Sequence, residues 1–293
     1  MARYGMLVDV TKCNGCYNCF LACKDEYCDI AHPGYSAPQP MTGQAWMRIV
    51  NTERGRFPKV KVDYTAIPCM HCDNPACVAA SLDGAIYKRK DGIVLIDPKK
   101  AKGDKELVTS CPYRVIYWNE EEQVPQKCTM CAHLLDDGWK EPRCVEACPT
   151  GALLFGDLDD PKSAVSKALA AAKTEVLHPE YKLNEKVRYV GLPKAFVAGS
   201  VVFGDKDECA AGVTVTLEGA GAAGATDATA AAAGVTAGAK QTTVTDAFGD
   251  FEFEGLPENT PFKVKIAAPG YKPQELGVRT GASVYLGDIV LTK

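Results

Sequence analysis

Near the C-terminal end, apolar and polar residues alternate strictly in VTVTL at 213–217, DFEFE at 250–254 and FKVKI at 262–266. A period of two marks strands with one face buried and one wet, the antiparallel pattern. Turn signals at Asp246–Gly249 and Pro269-Gly270 separate these runs. Residues 195–293 are therefore predicted to form a small all-β sandwich of about seven strands. The first 173 residues read differently, with short apolar runs and no sustained period. YGMLVDV at 4–10 predicts a strand, and FLACKDEYC at 20–28 about one helical turn. An insertion over 29–67, rich in turns, carries two strand-like pieces, AWMRIV at 45–50 and VKVDY at 60–64. It reads as an excursion suited to contact with another subunit. AIYKRKDGIVLID at 85–97 predicts a hairpin about Asp91-Gly92, and TGALLFG at 150–156 a further strand. Asp160-Pro161 predicts the start of a helix whose apolar face is Val165, Ala168, Leu169 and Ala172. Residues 174–194, with mixed charge and little periodicity, read as a linker. The fold class is α+β, with an N-terminal domain over 1–173 and the all-β domain over 195–293.

Composition changes this picture in two places. Residues 219–239 hold 16 Ala or Gly in 21, which predicts a loop between strands. The net charge of −4 is uneven: residues 1–194 hold 26 Lys+Arg against 25 Asp+Glu, and 195–293 hold 7 against 12. No basic stripe suits nucleic acid, so that class of partner is set aside. No apolar run approaches the roughly 18 residues of a membrane span, and the opening MARYGMLVDV has no signal-peptide pattern. A cytoplasmic location with no membrane anchor in this chain is the expectation, although a partner with an export signal could carry it across a membrane.

The chemistry lies in the cysteines. Fourteen in a chain without a secretion signal point to metal rather than a disulfide framework. Twelve fall in motifs: CNGCYNCFLAC at 13–23, CMHCDNPAC at 69–77, CP at 111–112, and CTMC with CVEACP between 128 and 149. Cys13-x2-Cys16-x2-Cys19-x3-Cys23 has the spacing of a bacterial ferredoxin run, in which the fourth cysteine serves the neighbouring cluster. Cys128-x2-Cys131-x12-Cys144-x3-Cys148 is its reciprocal. Crossed ligation predicts one [4Fe-4S] cluster on Cys13, Cys16, Cys19 and Cys148, and a second on Cys128, Cys131, Cys144 and Cys23. Cys69, Cys72, Cys77 and Cys111 make a third set. Structural zinc is the bland alternative, but zinc does not need triplets closed by Cys-Pro. With four thiolates per cluster, His71 and His133 are predicted to tune the potential by hydrogen bonding rather than to ligate. Cys28 and Cys209 are plain thiols, and Tyr117 and Trp118 packing residues.

Residues 1–173 resemble the four-cluster, double ferredoxin-like subunits of the molybdenum enzyme superfamily that includes dimethyl sulfoxide reductase, nitrate reductase and formate dehydrogenase. The chain departs from that pattern at Ser81, Ala101, Asp104 and Leu107, where the family places the four cysteines of one further cluster. By resemblance the absent cluster is the one nearest a membrane quinone subunit, and the Cys13 cluster faces the molybdopterin subunit. A narrower resemblance, on QKCTMCAHLLDDGWKEPRC at 126–144, DGIVLIDPKKAKG at 91–103 and CPYRVIYWNEEE at 111–122, is to small subunits of transhydroxylases acting on polyphenols of the pyrogallol type. TDAFGDFEFEGLP at 245–257 and APGY at 268–271 are similar to carboxypeptidase-regulatory or Cna-B modules, of Ig-like or transthyretin-like sandwich form, which bind or space.

The resemblance implies an electron-transfer subunit of an oxidoreductase in anaerobic metabolism. Its large partner would hold bis-molybdopterin guanine dinucleotide with molybdenum and the active site; no catalytic residue is assigned to this chain. The alternative is a reductive catechol dehydroxylase, in which the third cluster takes electrons from an external donor. A docking subunit with idle clusters and a free-standing ferredoxin complete the readings.

Overall fold

The computed structural model describes residues 2–219, 240–281 and 283–293, so the Ala/Gly-rich stretch falls outside the described residues from 220 to 239. The chain divides into two compact units, one of residues 1–51 and 63–192, the other of 52–62 and 193–293.

The first unit is organised on strand β1 (Tyr4–Asp9), whose interior residues Met6, Leu7 and Val8 are buried. Helix α1 (Asn18–Tyr27) follows. It is longer than the single turn predicted, because its buried stripe is Cys19, Cys23 and Tyr27, at i, i+4 and i+8. The insertion then forms β2 (Arg48–Arg56) and β3 (Lys59–Ile67), a paired hairpin. It is no mere excursion. Trp46 and Met47, just before β2, are buried in the main core, and the Trp46 ring lies 4.6 Å from that of Tyr27.

Helix α2 (Ala76–Ala80) precedes the hairpin of β4 (Ile86–Lys88) and β5 (Val94–Ile96). A second hairpin, β6 (Tyr117–Asn119) and β7 (Val124–Gln126), leads to short helices α3 (Ala132–Asp136) and α4 (Arg143–Glu146). Strand β8 (Leu153–Asp157) returns antiparallel to β1, with Val8 opposite Leu153. Helix α5 (Ala164–Ala171) starts three residues later than predicted. Ser163, not Asp160, is its cap and accepts from the Ser166 N–H at 3.1 Å.

The stretch read as a linker is part of this unit. Strand β9 (Val187–Val190) pairs parallel to β1, giving the order β8-β1-β9, and Val187 and Tyr189 are fully buried. Upstream, the N–H groups of Asp73 and Asn74 donate to the carbonyls of Asn184 and Leu183, and Lys186 N–H donates to Met70. The segment therefore wraps the CMHC loop.

The second unit has two four-stranded sheets. One joins β10 (Ala195–Phe203), β11 (Glu208–Cys209), β14 (Asp250–Leu256) and β17 (Val284–Leu291), with β17 parallel to β10. The other runs β13-β12-β15-β16, antiparallel throughout, from β12 (Thr214–Gly219), β13 (Lys240–Val244), β15 (Pro261–Ala267) and β16 (Gln274–Arg279). Their alternating apolar residues meet in one core that includes Val197, Leu217, Phe253, Val264 and Ile266. Each fully buried side chain of this kind contributes about 1.5–3 kcal/mol. The β2–β3 tip belongs here too: Arg56 donates to the Tyr285 carbonyl at 2.9 Å, and Lys59 pairs with Glu252 at 2.8 Å. Among the described residues no helix is long and apolar enough to cross a membrane.

Candidate metal centres

The pairing of β1 with β8 decides where the first and last cysteine motifs meet. The Asp9 N–H donates to the Ala152 carbonyl at 2.8 Å, so the loop after β1 and the loop before β8 leave from the same edge of the sheet. Asp9 then turns the chain toward Cys13 by accepting from the Thr11 N–H at 3.1 Å and hydroxyl at 2.6 Å. Cys13, Cys16, Cys19 and Cys148 line one cavity of about 390 Å³. Cys23 points elsewhere, because α1 carries it one turn beyond Cys19 against α4. It lines a cavity of about 330 Å³ with Cys128, Cys131 and Cys144. A third cavity, of about 320 Å³, is lined by Cys69, Cys72, Cys77 and Cys111. The three predicted quartets are thus each gathered around one cavity.

These loops share a backbone device. In three of the four C-x-x-C stretches the second spacer residue stands in the left-handed region, Gly15 at φ 70°, His71 at φ 43° and Met130 at φ 56°; in Cys16-x-x-Cys19 it is the first spacer, Tyr17, at φ 61°. Alternating handedness turns successive N–H groups to one side, a concavity suited to an anion. Met130 N–H, for example, donates to Cys128 Sγ at 3.3 Å. Gly15 has a steric reason as well, since a Cβ there would lie 2.6 Å from the Tyr64 ring.

The electrostatics of four thiols gathered in one cavity suit a cluster. All fourteen cysteines are free. Burial, aided by neighbouring thiols, pushes Cys19 and Cys77 up to about 11 and Cys128 up to about 12. Burial drives Cys23 and Cys144 well above the ordinary range, again aided by neighbouring thiols. Four mutually repelling thiolates need a cation among them, and an iron core is one. Cys148 behaves oppositely: burial pushes it up, but the Leu153 N–H, the Thr150 hydroxyl and the Ala152 N–H outweigh that and bring it down. The residues present fit the group.

The second quartet neighbours both others. Cys144 feels Cys19 of the first quartet, and Cys128 feels Cys69 of the third. Tyr117, expected only to pack, is pushed up by burial against the opposing Arg48, and it lies near Cys111 of the third quartet and Cys128 and Cys23 of the second. The first quartet opens to the surface: Cys16 is exposed, as are the neighbouring Tyr17 and Leu21.

At the four departure positions there is packing instead. Ala101 and Leu107 are buried in an apolar cluster with Ile86, Val94, Ile96 and Ile116. Ser81 is tied locally, its hydroxyl accepting from the Ile86 N–H at 2.9 Å. Asp104 is half-buried, its N–H bonded to the Ala101 carbonyl.

His133 is held by Glu26 Oε1 at 2.8 Å, and the His32 ring lies tilted against it with centroids 3.8 Å apart. His71 is fully buried beside the third quartet. Cys28 donates weakly to Met41 Sδ, and Cys209 is exposed on β11, both away from the quartets. Sequence reasoning missed Tyr27, whose hydroxyl bonds Thr129 at 2.7 Å beside Cys131, and Lys127, a buried ammonium donating to the Val94 and Cys128 carbonyls. Only the position of Lys127 next to Cys128 was a signal.

Comparison with known proteins gives a consistent picture. Residues 60–158 match the family of 4Fe-4S dicluster domains. The small subunit of pyrogallol hydroxytransferase from Pelobacter acidigallici is 42% identical over 99% of this chain and all of its own length. A subunit of the tetrathionate reductase of Salmonella typhimurium is 37% identical over 67% of this chain and 75% of its own. The iron–sulfur subunit of arsenate respiratory reductase from a Shewanella species is 31% identical over 64% of this chain and 96% of its own.

Proposed function

This chain belongs to the iron–sulfur small subunits of the dimethyl sulfoxide reductase superfamily of molybdenum enzymes, and on that premise we propose that it carries electrons on three [4Fe-4S] clusters. Cys13, Cys16, Cys19 and Cys148 hold the first, Cys23, Cys128, Cys131 and Cys144 the second, and Cys69, Cys72, Cys77 and Cys111 the third. The observation that carries this reading is the set of three cavities, each lined by four thiols, with the second neighbouring both others.

A bound [4Fe-4S] cluster supplies reversible one-electron storage. The chain's own residues do the rest. Left-handed turns at Gly15, His71 and Met130 aim N–H groups at the thiolates, and walls such as Tyr27, Trp46 and Met47 keep water from the second site. The exposed edge at Cys16 is the place where another redox centre can approach.

A large catalytic partner holding bis-molybdopterin guanine dinucleotide completes the complex, and the reaction is hydroxyl transfer between polyphenols of the pyrogallol type. Similarity along the whole chain to the pyrogallol hydroxytransferase small subunit supports this choice over the reductases. The second unit is read as an Ig-like or transthyretin-like sandwich that spaces or docks. The test is anaerobic turnover of the purified two-subunit complex on pyrogallol-type substrates without an external donor, beside a Cys13→Ser complex. Turnover in the first and its loss in the second, with both subunits still associated, is the expected result. Turnover only with an added reductant would assign a dehydroxylase, and full turnover in Cys13→Ser a docking role.

A further inference from the structure

Three of the four C-x-x-C loops, one from each quartet, hold their second spacer residue in the left-handed region: Gly15, Met130 and His71. Gly15 and Met130 offer no side-chain donor there. His71 does, and its surroundings decide which nitrogen carries the proton. The Val94 backbone N–H donates to His71 Nδ1 at 3.0 Å, so Nδ1 is the acceptor and Nε2 the protonated nitrogen of a neutral ring. The ring is only 1% exposed, and Nε2 has no hydrogen-bond partner. A buried donor without an acceptor is costly, and native structures rarely leave one so. His71 lines the cavity of Cys69, Cys72, Cys77 and Cys111.

We propose that His71 Nε2–H is a built-in hydrogen-bond donor to a sulfur of the cluster held by the third quartet, and that it makes this site easier to reduce. This rests on the three-cluster reading above. A donor aimed at sulfur stabilises the more negative, reduced state, which raises the reduction potential. His71 is a positioning residue for charge at the third site. Val94 holds the ring in place, and the 183–186 segment wraps the loop that carries it.

The experiment is an EPR-monitored redox titration of the full-length chain in its anaerobically purified complex, comparing wild type, His71→Leu and His71→Gln. In His71→Leu the reduction equilibrium of the third cluster is expected to fall about tenfold, which is 59 mV for one electron. The other two clusters are expected to hold their values. His71→Gln, which keeps an acceptor for Val94 and a donor for sulfur, is expected to recover most of the change. With histidine labelled by nitrogen-15, one weak nitrogen coupling is expected at the third cluster in wild type and none in His71→Gln; this holds the test even where His71→Leu fails to load iron. A third cluster that is present, has an unchanged potential in His71→Leu and shows no histidine coupling in wild type overturns the proposal. Iron of only about eight per wild-type chain would instead sink the three-cluster reading beneath it.

Discussion

The third quartet and the apolar cluster beside it share Cys77, Val94 and Cys111, and they solve the same packing problem in opposite ways. On one side the side chains end in thiols and leave a cavity of about 320 Å³. On the other, where the family pattern calls for four more cysteines, Ala101 and Leu107 sit with Ile86, Ile96 and Ile116, and Ser81 is tied into the turn that leads to β4. Four thiolates sharing a cavity need a cation among them, whereas an apolar cluster is stable alone through burial. Removing a cluster from such a fold therefore asks for more than losing ligands. The space must also be filled, and here it is.

The largest expected effect comes from trying to reverse this. Replacing Ser81, Ala101, Asp104 and Leu107 together by cysteine is expected to loosen β4 and β5 without adding iron, because the isoleucines still occupy the space. Hydrogen exchange over 85–97 and iron per chain check both halves, and a rise to about sixteen iron would show that only the ligands were missing. Leu107→Ala alone is expected to cost about 2–5 kcal/mol of local stability, read as faster exchange in the same hairpin with the iron count unchanged. A loss of the third cluster in that variant would mean the shared wall is too soft for the two regions to be independent.

The smallest effect lies in the second unit, which has no thiol quartet and serves as the control. Burial raises the Glu252 carboxyl, but Lys59 and Lys61 outweigh it and hold its pKa below the ordinary 4.5. Its contribution is therefore complete above that value and is lost as pH falls through the lower, folded-state value. Glu252→Gln is expected to speed exchange in the 52–62 tip at neutral pH by less than about 1 kcal/mol, and the gap from wild type is expected to close as the solution is acidified below 4.5. A gap that ignores pH would mean the carboxylate charge does not hold the tip.

How much of this was legible in the chain differs between the two units. The short C-x-x-C loops were legible from cysteine spacing, because a spacing of two or three residues leaves a loop few geometries, and the structure gathers these cysteines around three cavities. The strict alternation in 250–254 and 262–266 marked two strands of the second unit for the same kind of reason. Helix α1 was cut short because its buried stripe is made of cysteines counted as ligands, although they also serve as its apolar face. Strand β9 went unread because its partner β1 is almost the full length of the unit away, and four residues with two buried are too few to show a period. The left-handed turns at His71 and Met130 were invisible too, since neither residue type favours that region as glycine does.

The most direct measurement is iron, inorganic sulfide and zinc per chain in the anaerobically purified complex, with spin quantitation after full reduction. Three quartets beside a filled fourth position require about twelve iron and about twelve sulfide, in three cubanes. About eight, about sixteen, or zinc in place of iron would contradict that.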